Sequence, residues 1–386
     1  MVTQTIQKIL TRNFVLCFFA YFAFCSVYHI LIPTLPIYLS RLESKETEIG
    51  ILIGVFSVSS LVLRAFVGRA LLKIPEKNFM IIGALLFALT SFAYLLAPPF
   101  WPFLMVRVFQ GMGYACFQTA SFTLIANTSS EAHRGQSFSY FILAYNLSGA
   151  LAPPLGMVLI NHYSFTFLFL VCLGLSLCSL LITNKVERRE VAPLKNSSIE
   201  GGTFFSRKAL PTSIIAFFSL FIVGGLNAFF PIYAIKHGVA NPGLFFATVA
   251  MMLILGRGLG GKMMDLHNKE RIILPCLTTY IISMVILAYS KTLPMFILVA
   301  VIHGIGHAFL YPTLVAYTMD RVGGYPGPAM GMFQTFTDLG MSLGTVTMGI
   351  VVHSTSYPIM FLCLALTGIV NLNYFYFFVR KKRMTF

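Results

Sequence analysis

The chain divides at NKVERREVAPLKNSSIEGGTFFSRKALP, which runs from Asn184 to Pro211. This stretch is polar and basic and contains Gly and Ser, whereas the sequence on either side runs through apolar segments long enough to cross a bilayer. A segment of this composition behaves as a soluble tether between structured parts. The stretch therefore predicts two membrane-embedded halves joined by one long linker.

The two halves look like a duplication. A shift of 193 residues aligns LRAFVGRALLK, which begins at Leu63, with GRGLGGKMMDL, which begins at Gly256. The same shift aligns RVFQGMGYACF, from Arg107, with AVIHGIGHAFL, from Ala300. Internal repeats in a membrane chain are typical of transporters, because two bundles that rock about an interface can expose one site to either side.

The composition indicates that the solvent of this chain is lipid. Of its 386 residues, 57% are hydrophobic and only 10% are charged, which is too much apolar surface for one water-soluble core. The net charge of +15 comes from residues in short loops rather than from one patch, so nucleic acid is not expected as a partner. The seven cysteines lie in apolar runs without metal-ligand spacing, and we expect neither disulfides nor a bound metal.

Motifs of enzymes and nucleotide-driven pumps are missing from the sequence. It contains no Gly-x-x-x-x-Gly-Lys-Ser/Thr loop to hold phosphates and no His-Glu-x-x-His pair. We therefore expect no enzyme activity and no cofactor, and an ion gradient or the solute's own gradient as the source of energy.

Hydrophobic runs predict twelve helical spans, six on each side of the linker. The predicted domains are a first bundle at 1–184, the linker at 185–210 and a second bundle at 211–386. The spans are expected at 14–39, 47–72, 78–97, 101–126, 135–160, 163–184, 211–235, 243–266, 271–290, 294–319, 327–352 and 355–379.

The distribution of lysine and arginine predicts the orientation. Twenty of the 27 basic residues fall in the two termini, the linker and the loops of one side, and four fall in the loops of the other side. Such a bias places both termini in the cytoplasm. Arg64, Arg107 and Arg257 remain at or within the membrane.

Twelve spans in two repeats with a basic central loop resemble the major facilitator superfamily over nearly the whole chain. The resemblance implies an all-α membrane protein with two pseudo-symmetric six-helix bundles, located in the cell (plasma or inner) membrane and working as a monomer. It also implies a secondary transporter of a small organic solute, in the proton-coupled drug or sugar efflux branch. A proton-coupled importer of an organic anion or sugar, and a non-transporting receptor or scaffold, are the alternatives.

The loop after the second helix carries part of this resemblance. In GRALLKIPEK, from Gly68 to Lys77, the first glycine and two lysines match the superfamily's loop motif, but Leu72 replaces its acidic residue. The second repeat keeps that acid as Asp265. By resemblance this loop latches the cytoplasmic face, and the candidate gating residues are Arg69, Lys73 and Asp265. A solvated loop of mixed charge is the alternative.

Two polar stripes predict the solute site. Arg107, Gln110, Tyr114 and Gln118 recur at three- and four-residue steps on one helix face, and the matched face of the tenth helix carries His303, His307 and Tyr311. The superfamily lines its cavity with helices 1, 4, 7 and 10, which adds Tyr28, His29 and Asn227 as substrate-binding candidates. Snorkelling of Arg107 to the surface, and histidines satisfied in the core, are the alternatives.

Asp338 is the only clear carboxylate near the middle of a predicted span. A charge at that depth costs about 2.5–3.5 kcal/mol even on the lenient insertion scale, so a partner or a proton must offset the cost. Asp338, His303 and His307 are therefore the proton-coupling candidates. A structural hydrogen bond between helices is the alternative for Asp338.

Overall fold

A computed structural model describes residues 11–96, 100–129, 134–187, 207–266, 269–322 and 326–380. Most of the predicted linker, at residues 188–206, lies outside the described residues, and so does the side chain of the gating candidate Asp265. The chain that is described is almost entirely helical.

Twelve α-helices run through the described residues and confirm the predicted all-α architecture. Most of their ends lie within a few residues of the predicted ones. A short π-helical turn, Phe375–Arg380, follows the last of them. The helices α1 to α12 span Arg12–Arg41, Glu46–Ala70, Glu76–Ala93, Trp101–Thr128, Arg134–His162, Phe165–Asn184, Leu210–Lys236, Gly243–Leu266, Lys269–Tyr289, Leu293–Val322, Pro326–Ser354 and Tyr357–Tyr374.

Length and composition allow ten of the described helices to cross a membrane, and Gly243–Gly256 of α8 forms a shorter apolar helix. Helix α4 is not among the ten, although it has 28 residues. Its arginine and two glutamines lower the mean hydropathy, so the polar stripe predicted from the sequence is also visible at the level of the whole helix.

Local sequence explains several helix boundaries. Proline stands in the first turn of α4, α7 and α12, where its missing N–H costs no helical hydrogen bond. Ser164 caps α6, because its side chain accepts a hydrogen bond of 3.1 Å from the backbone N–H of Phe167. These residues mark the starts of the helices that contain them.

By mutual contact the chain forms two compact units. The first contains the chain up to Thr34 and from Val58 through α6. The second contains Leu35 to Ser57 together with α7 to α12. The domain limits predicted at residues 184 and 210 stay a prediction.

Aromatic rings fill the core of the first unit. Phe24 of α1 lies 4.0 Å from Phe87 of α3 and 4.1 Å from Phe117 of α4, measured between ring centroids. Tyr21, one turn earlier, stacks on Phe141 of α5 at 4.7 Å. These large apolar contacts hold α1, α3, α4 and α5 in one bundle.

Glycines set the helix spacing in the second unit. A Cβ built on Gly340 of α11 would collide with the carbonyl oxygen of Phe217 on α7, and one on Gly344 would collide with that of Phe221. Close backbone approach of this kind gives van der Waals packing in a membrane, where no hydrophobic force drives helices together. Helices α7 and α11 are therefore in backbone contact along two consecutive turns.

The first half of α2 belongs by contact to the second unit. A Cβ built on Gly50 would lie 2.7 Å from the carbonyl oxygen of Thr345 on α11. Ser342 donates a hydrogen bond of 2.9 Å from its Oγ to the carbonyl oxygen of Gly54. Helix α2 thus divides its packing between the two units near Ser57.

Equivalent glycines make equivalent contacts in the two repeats. A Cβ on Gly113 of α4 would lie 3.1 Å from the carbonyl oxygen of Gly83 on α3. A Cβ on Gly306 of α10 would lie 3.2 Å from the carbonyl oxygen of Cys276 on α9. The partners in each pair are related by the 193-residue shift, so the alignment found in the sequence describes the same helix crossing in both copies.

Candidate functional site

Polar side chains within the spans separate into two groups by exposure. Because lipid offers no hydrogen-bond partner, a half-exposed polar group at this depth is stable only where it meets water or protein in the interior. The buried candidates are His29, Arg107, Gln110, Tyr114 and His303, and the half-buried candidates are Tyr28, Gln118, Asn227, His307, Tyr311 and Asp338. Exposure thus separates side chains sealed in the packing from side chains that remain accessible.

Arg107 lies inside the first bundle with only 6% of its surface exposed. Its Nη1 donates a hydrogen bond of 2.6 Å to Oε1 of Gln110, and the hydroxyl of Tyr94 donates to the same oxygen at 2.7 Å. Phe103 and Phe169 flank the Tyr94 ring at 4.8 and 5.2 Å. The structure brings Arg107 and Gln110 together as predicted, and it places them against the end of α3.

A second polar network lies further along the same face of α4. Nη2 of Arg64, on α2, donates to Oε1 of Gln118 at 3.0 Å, and Nε2 of Gln118 donates to the hydroxyl of Tyr114 at 3.1 Å. The Tyr114 ring lies 5.1 Å from that of Tyr28 on α1. Three predicted residues therefore meet here, together with Arg64, which was not among the predicted site residues.

His29 lies between α1 and α5. Its Nδ1 is 2.8 Å from Oγ of Ser148, and its ring lies 4.5 Å from the ring of Tyr145. The side chain is buried and hydrogen-bonded within the first unit. His29 is next to Tyr28 in sequence, but it points toward α5 while Tyr28 contacts α4.

His303 and His307 lie on the α9 side of α10. Their rings are nearly parallel, with centroids 6.1 Å apart. The hydroxyl of Tyr280 lies 2.5 Å from Nδ1 of His307, and Oγ of Ser283 lies 3.5 Å from Nδ1 of His303. The structure brings the two predicted histidines together and adds two hydroxyl partners from α9.

Removing the Tyr280 hydroxyl is expected to destabilise the second unit. Tyr280→Phe keeps the buried ring but deletes the hydrogen bond to His307, and interhelical bonds of this kind contribute about 0.6 kcal/mol on average in a membrane protein. We expect a lower midpoint of thermal unfolding for the purified protein in detergent. Tyr289→Phe is the control, because that tyrosine ends the same helix and is 68% exposed. Equal midpoints for the two variants would contradict the expected role of the hydroxyl.

Tyr311 lies on the same helix as the two histidines, but its side chain contacts α11 rather than α9. Its hydroxyl donates to Oε1 of Gln334 at 3.1 Å, and its ring lies 5.7 Å from that of Phe333. Asp338 stands one turn after Gln334 and is half-buried on the same helix face. Asn227 is half-buried on α7. The stripe predicted on α10 is therefore divided between α9 and α11, and a shared site with the α4 stripe stays a prediction.

The gating candidates are only partly described. Arg69 lies in the last turn of α2 and Lys73 in the turn that follows, and both side chains are exposed. Their exposure fits a loop that meets solvent. The predicted latch role of Asp265, in the matching loop of the second repeat, stays a prediction, since its side chain is outside the described residues.

Several residues that contact the predicted site residues were not themselves predicted from the sequence. Arg64 carried a usable signal, since a charged residue inside a span is costly and marks function by default. Gln334 carried one as well, since it stands one turn before Asp338 on the same helix face. Tyr94 and Tyr280 carried none, because a single tyrosine in a span does not reveal its partner. Their roles depend on which helix lies opposite, which only the packing reveals.

The chain belongs to the major facilitator superfamily. The model of that family, described as Major Facilitator Superfamily, matches residues 17–264 and 242–385. The chain is therefore a membrane transporter of this superfamily, which agrees with its twelve described helices and its internal duplication.

Two staphylococcal proteins are similar over nearly their full length. The Quinolone resistance protein NorA of Staphylococcus aureus (strain COL) is 24% identical over 372 residues, which are 92% of this chain and 94% of the relative. The Staphylopine export protein of Staphylococcus aureus (strain Mu50 / ATCC 700699) is 24% identical over 368 residues, which are 90% of this chain and 91% of the relative.

Solved structures share the fold. A crystal structure of the nucleoside transporter NupG matches with a TM-score of 0.76 and 16% identity, over 95% of this chain and 98% of that one. The human organic anion transporter MFSD10 (TETRAN) matches with a TM-score of 0.70 and 15% identity, over 94% of this chain and 98% of that one. At this identity the likeness concerns the fold alone.

Proposed function

We propose that the protein exports a small organic solute by alternating access, in exchange for protons. The observation that carries the proposal is the set of half-buried polar side chains within the spans of each unit. Side chains of this kind are costly in lipid and are available to a solute that enters the bundle. The direction is inferred from relatives that are named for quinolone resistance and for staphylopine export.

Each unit contributes residues to the proposed solute recognition. The half-buried candidates are Tyr28 and Gln118 in the first unit, beside the Tyr114 ring, and Asn227, His307 and Tyr311 in the second. The buried candidates Arg107, Gln110, His29 and His303 are hydrogen-bonded to other residues within each unit. We propose that they position the helices that carry the accessible residues. Such residues combine aromatic surface with hydrogen-bonding groups, which suits an amphipathic solute.

Proton coupling is proposed for Asp338, with His303 and His307 as the further candidates. A group that couples must change protonation between the two states of the transport cycle, and Asp338 is half-buried within α11. Arg69, Lys73 and Asp265 are proposed to act in gating. We also propose that both termini lie in the cytoplasm and that the protein acts as a monomer in the cell membrane.

Everted membrane vesicles test this function directly. In vesicles from cells that express the chain, an acidic lumen should drive accumulation of the exported solute, because protons leave as the solute enters. A quinolone and staphylopine are the first compounds to test, since the relatives are named for them. Accumulation should disappear when a proton ionophore collapses the gradient, and vesicles without the chain are the control.

Two outcomes would contradict proton-driven export. Accumulation only in right-side-out vesicles, with acid outside, would identify a proton-coupled importer. Absence of both gradient-driven uptake and counterflow across a broad panel of drugs, sugars and organic anions would favour a receptor or scaffold.

A further inference from the structure

Arg64 is a charged residue inside the spanning region of α2. It stands six residues before Ala70, the last residue of that helix, which is about 9 Å along the helix axis. Its side chain is half-buried. A cation at this depth is costly, so a functional role is the default expectation for it.

The guanidinium of Arg64 donates a hydrogen bond to an uncharged side chain. Gln118 accepts this bond at 3.0 Å through its amide oxygen, which helps to fix the direction of the planar group. Gln118 is held in turn by its own bond of 3.1 Å to the hydroxyl of Tyr114. Arg64 therefore presents an oriented positive charge beside the aromatic rings of Tyr114 and Tyr28.

The two arginines that the sequence places at or within the first unit's spans differ in accessibility. Arg107 is 6% exposed, and it donates to Gln110 at 2.6 Å beside the buried hydroxyl of Tyr94. A solute would have to displace this packing to reach Arg107. Arg64 is half-buried, and its neighbours Gln118 and Tyr28 are half-buried as well, so this group keeps exposed surface that Arg107 lacks.

The internal duplication also distinguishes Arg64 from Arg107. The 193-residue shift matches Arg64 with Arg257, whereas it matches Arg107 with Ala300. The same shift matches Gln118 with Tyr311. An arginine at the same position of both repeats is thus a feature of the duplicated unit, although the side chain of Arg257 lies outside the described residues.

We propose that Arg64, oriented by Gln118, binds the anionic group of the transported solute. A guanidinium presents a rigid fork of donors that matches a carboxylate or a phosphate, and the neighbouring tyrosines offer apolar surface to the rest of the molecule. The solute class is therefore an amphipathic organic anion. This inference rests on the proposed transport function and names the chemistry of its substrate.

Binding of a matched pair of compounds tests the proposal. The probes are a fluoroquinolone, which carries a carboxylate, and its ethyl ester, which does not; binding to the purified protein is measured by calorimetry. We expect the acid to bind more tightly than the ester. Arg64→Lys keeps the charge but loses the fork, so it should weaken binding of the acid by about tenfold and leave the ester unchanged.

A second variant tests the same charge without touching the arginine. Gln118→Glu places a carboxylate where the amide oxygen now accepts from Arg64. This carboxylate should compete with the acid for the guanidinium, so the variant should bind the acid more weakly and the ester as before. Arg12→Gln, at the exposed start of α1, removes a charge elsewhere and should change neither affinity.

Three results would overturn the proposal. The first is that the wild-type protein binds acid and ester with equal affinity. The second is that Arg64→Lys and Gln118→Glu weaken binding of the acid and of the ester to the same extent. The third is that both variants bind the acid as tightly as the wild-type protein does. Because binding is measured without a gradient, these results are distinct from a failure of proton-driven export in vesicles. A transport failure with the expected binding pattern would leave the anion site standing.

Discussion

Replacing Asp338 by asparagine is expected to abolish solute transport driven by a pH gradient. Asparagine has nearly the same shape and can still form a hydrogen bond, but it cannot take up or release a proton. Among the carboxylates on the described helices, Asp338 alone lies near the middle of a span, and it is half-buried there. Without it, acid-driven accumulation in everted vesicles should fall to the level of vesicles without the chain, while solute exchange at equal pH continues.

A carboxylate outside the span provides the control for this substitution. Asp320 lies in the last turns of α10, is exposed, and forms an ion pair with Lys269. Asp320→Asn should retain acid-driven accumulation, because exposed ion pairs contribute little and the residue lies outside the proposed coupling site. Full acid-driven activity in Asp338→Asn would move the coupling to His29, His303 or His307, or remove it from the mechanism.

Adding one methyl group to Gly344 is expected to destabilise the second unit strongly. The new Cβ of Gly344→Ala would meet the carbonyl oxygen of Phe221, which belongs to the backbone of α7 and cannot rotate away. Helices α7 and α11 would have to separate, and overpacking of this kind costs about 1–3 kcal/mol. We expect a lower yield of folded protein and a lower midpoint of thermal unfolding in detergent.

Gly174 supplies the matched control. It lies within α6, is exposed, and a Cβ built on it meets no other atom within 4 Å among the described residues. Gly174→Ala should be neutral or slightly stabilising, since alanine favours the helix more than glycine does. If the two alanine variants unfold at the same temperature, the close approach of α7 and α11 does not limit the stability of the second unit.

The glycine positions show how far sequence reasoning reaches. Small residues at short intervals in a span, such as Gly111 and Gly113, indicate close helix packing, and the repeat shift matches Gly113 with Gly306. The sequence could not say which helix approaches them. The partners of Gly113 and Gly306 proved to be α3 and α9, the neighbours before them in the chain.

The polar stripes show where such reasoning stops. Helical periodicity placed Arg107, Gln110, Tyr114 and Gln118 on one face, and the structure keeps them there, but the face meets two environments along its length. Near Arg107 it meets Tyr94 and is sealed, whereas near Gln118 it meets Arg64 and remains accessible. A periodic pattern gives the direction of a side chain around its own helix and no information about what lies opposite.

Apolar run length, composition and a repeat shift were enough to predict a lipid environment, the number of helices and the duplication, because all of these are properties of residues read along the chain. The superfamily entered as a resemblance, which the family model then confirmed. The packed helices were needed to show that Arg107 is buried and that Arg64 joins Gln118. They were also needed to show that the tenth helix divides its histidines and Tyr311 between α9 and α11. Burial and hydrogen bonding between helices depend on which distant segments come together, and that choice is made by packing over the whole bundle.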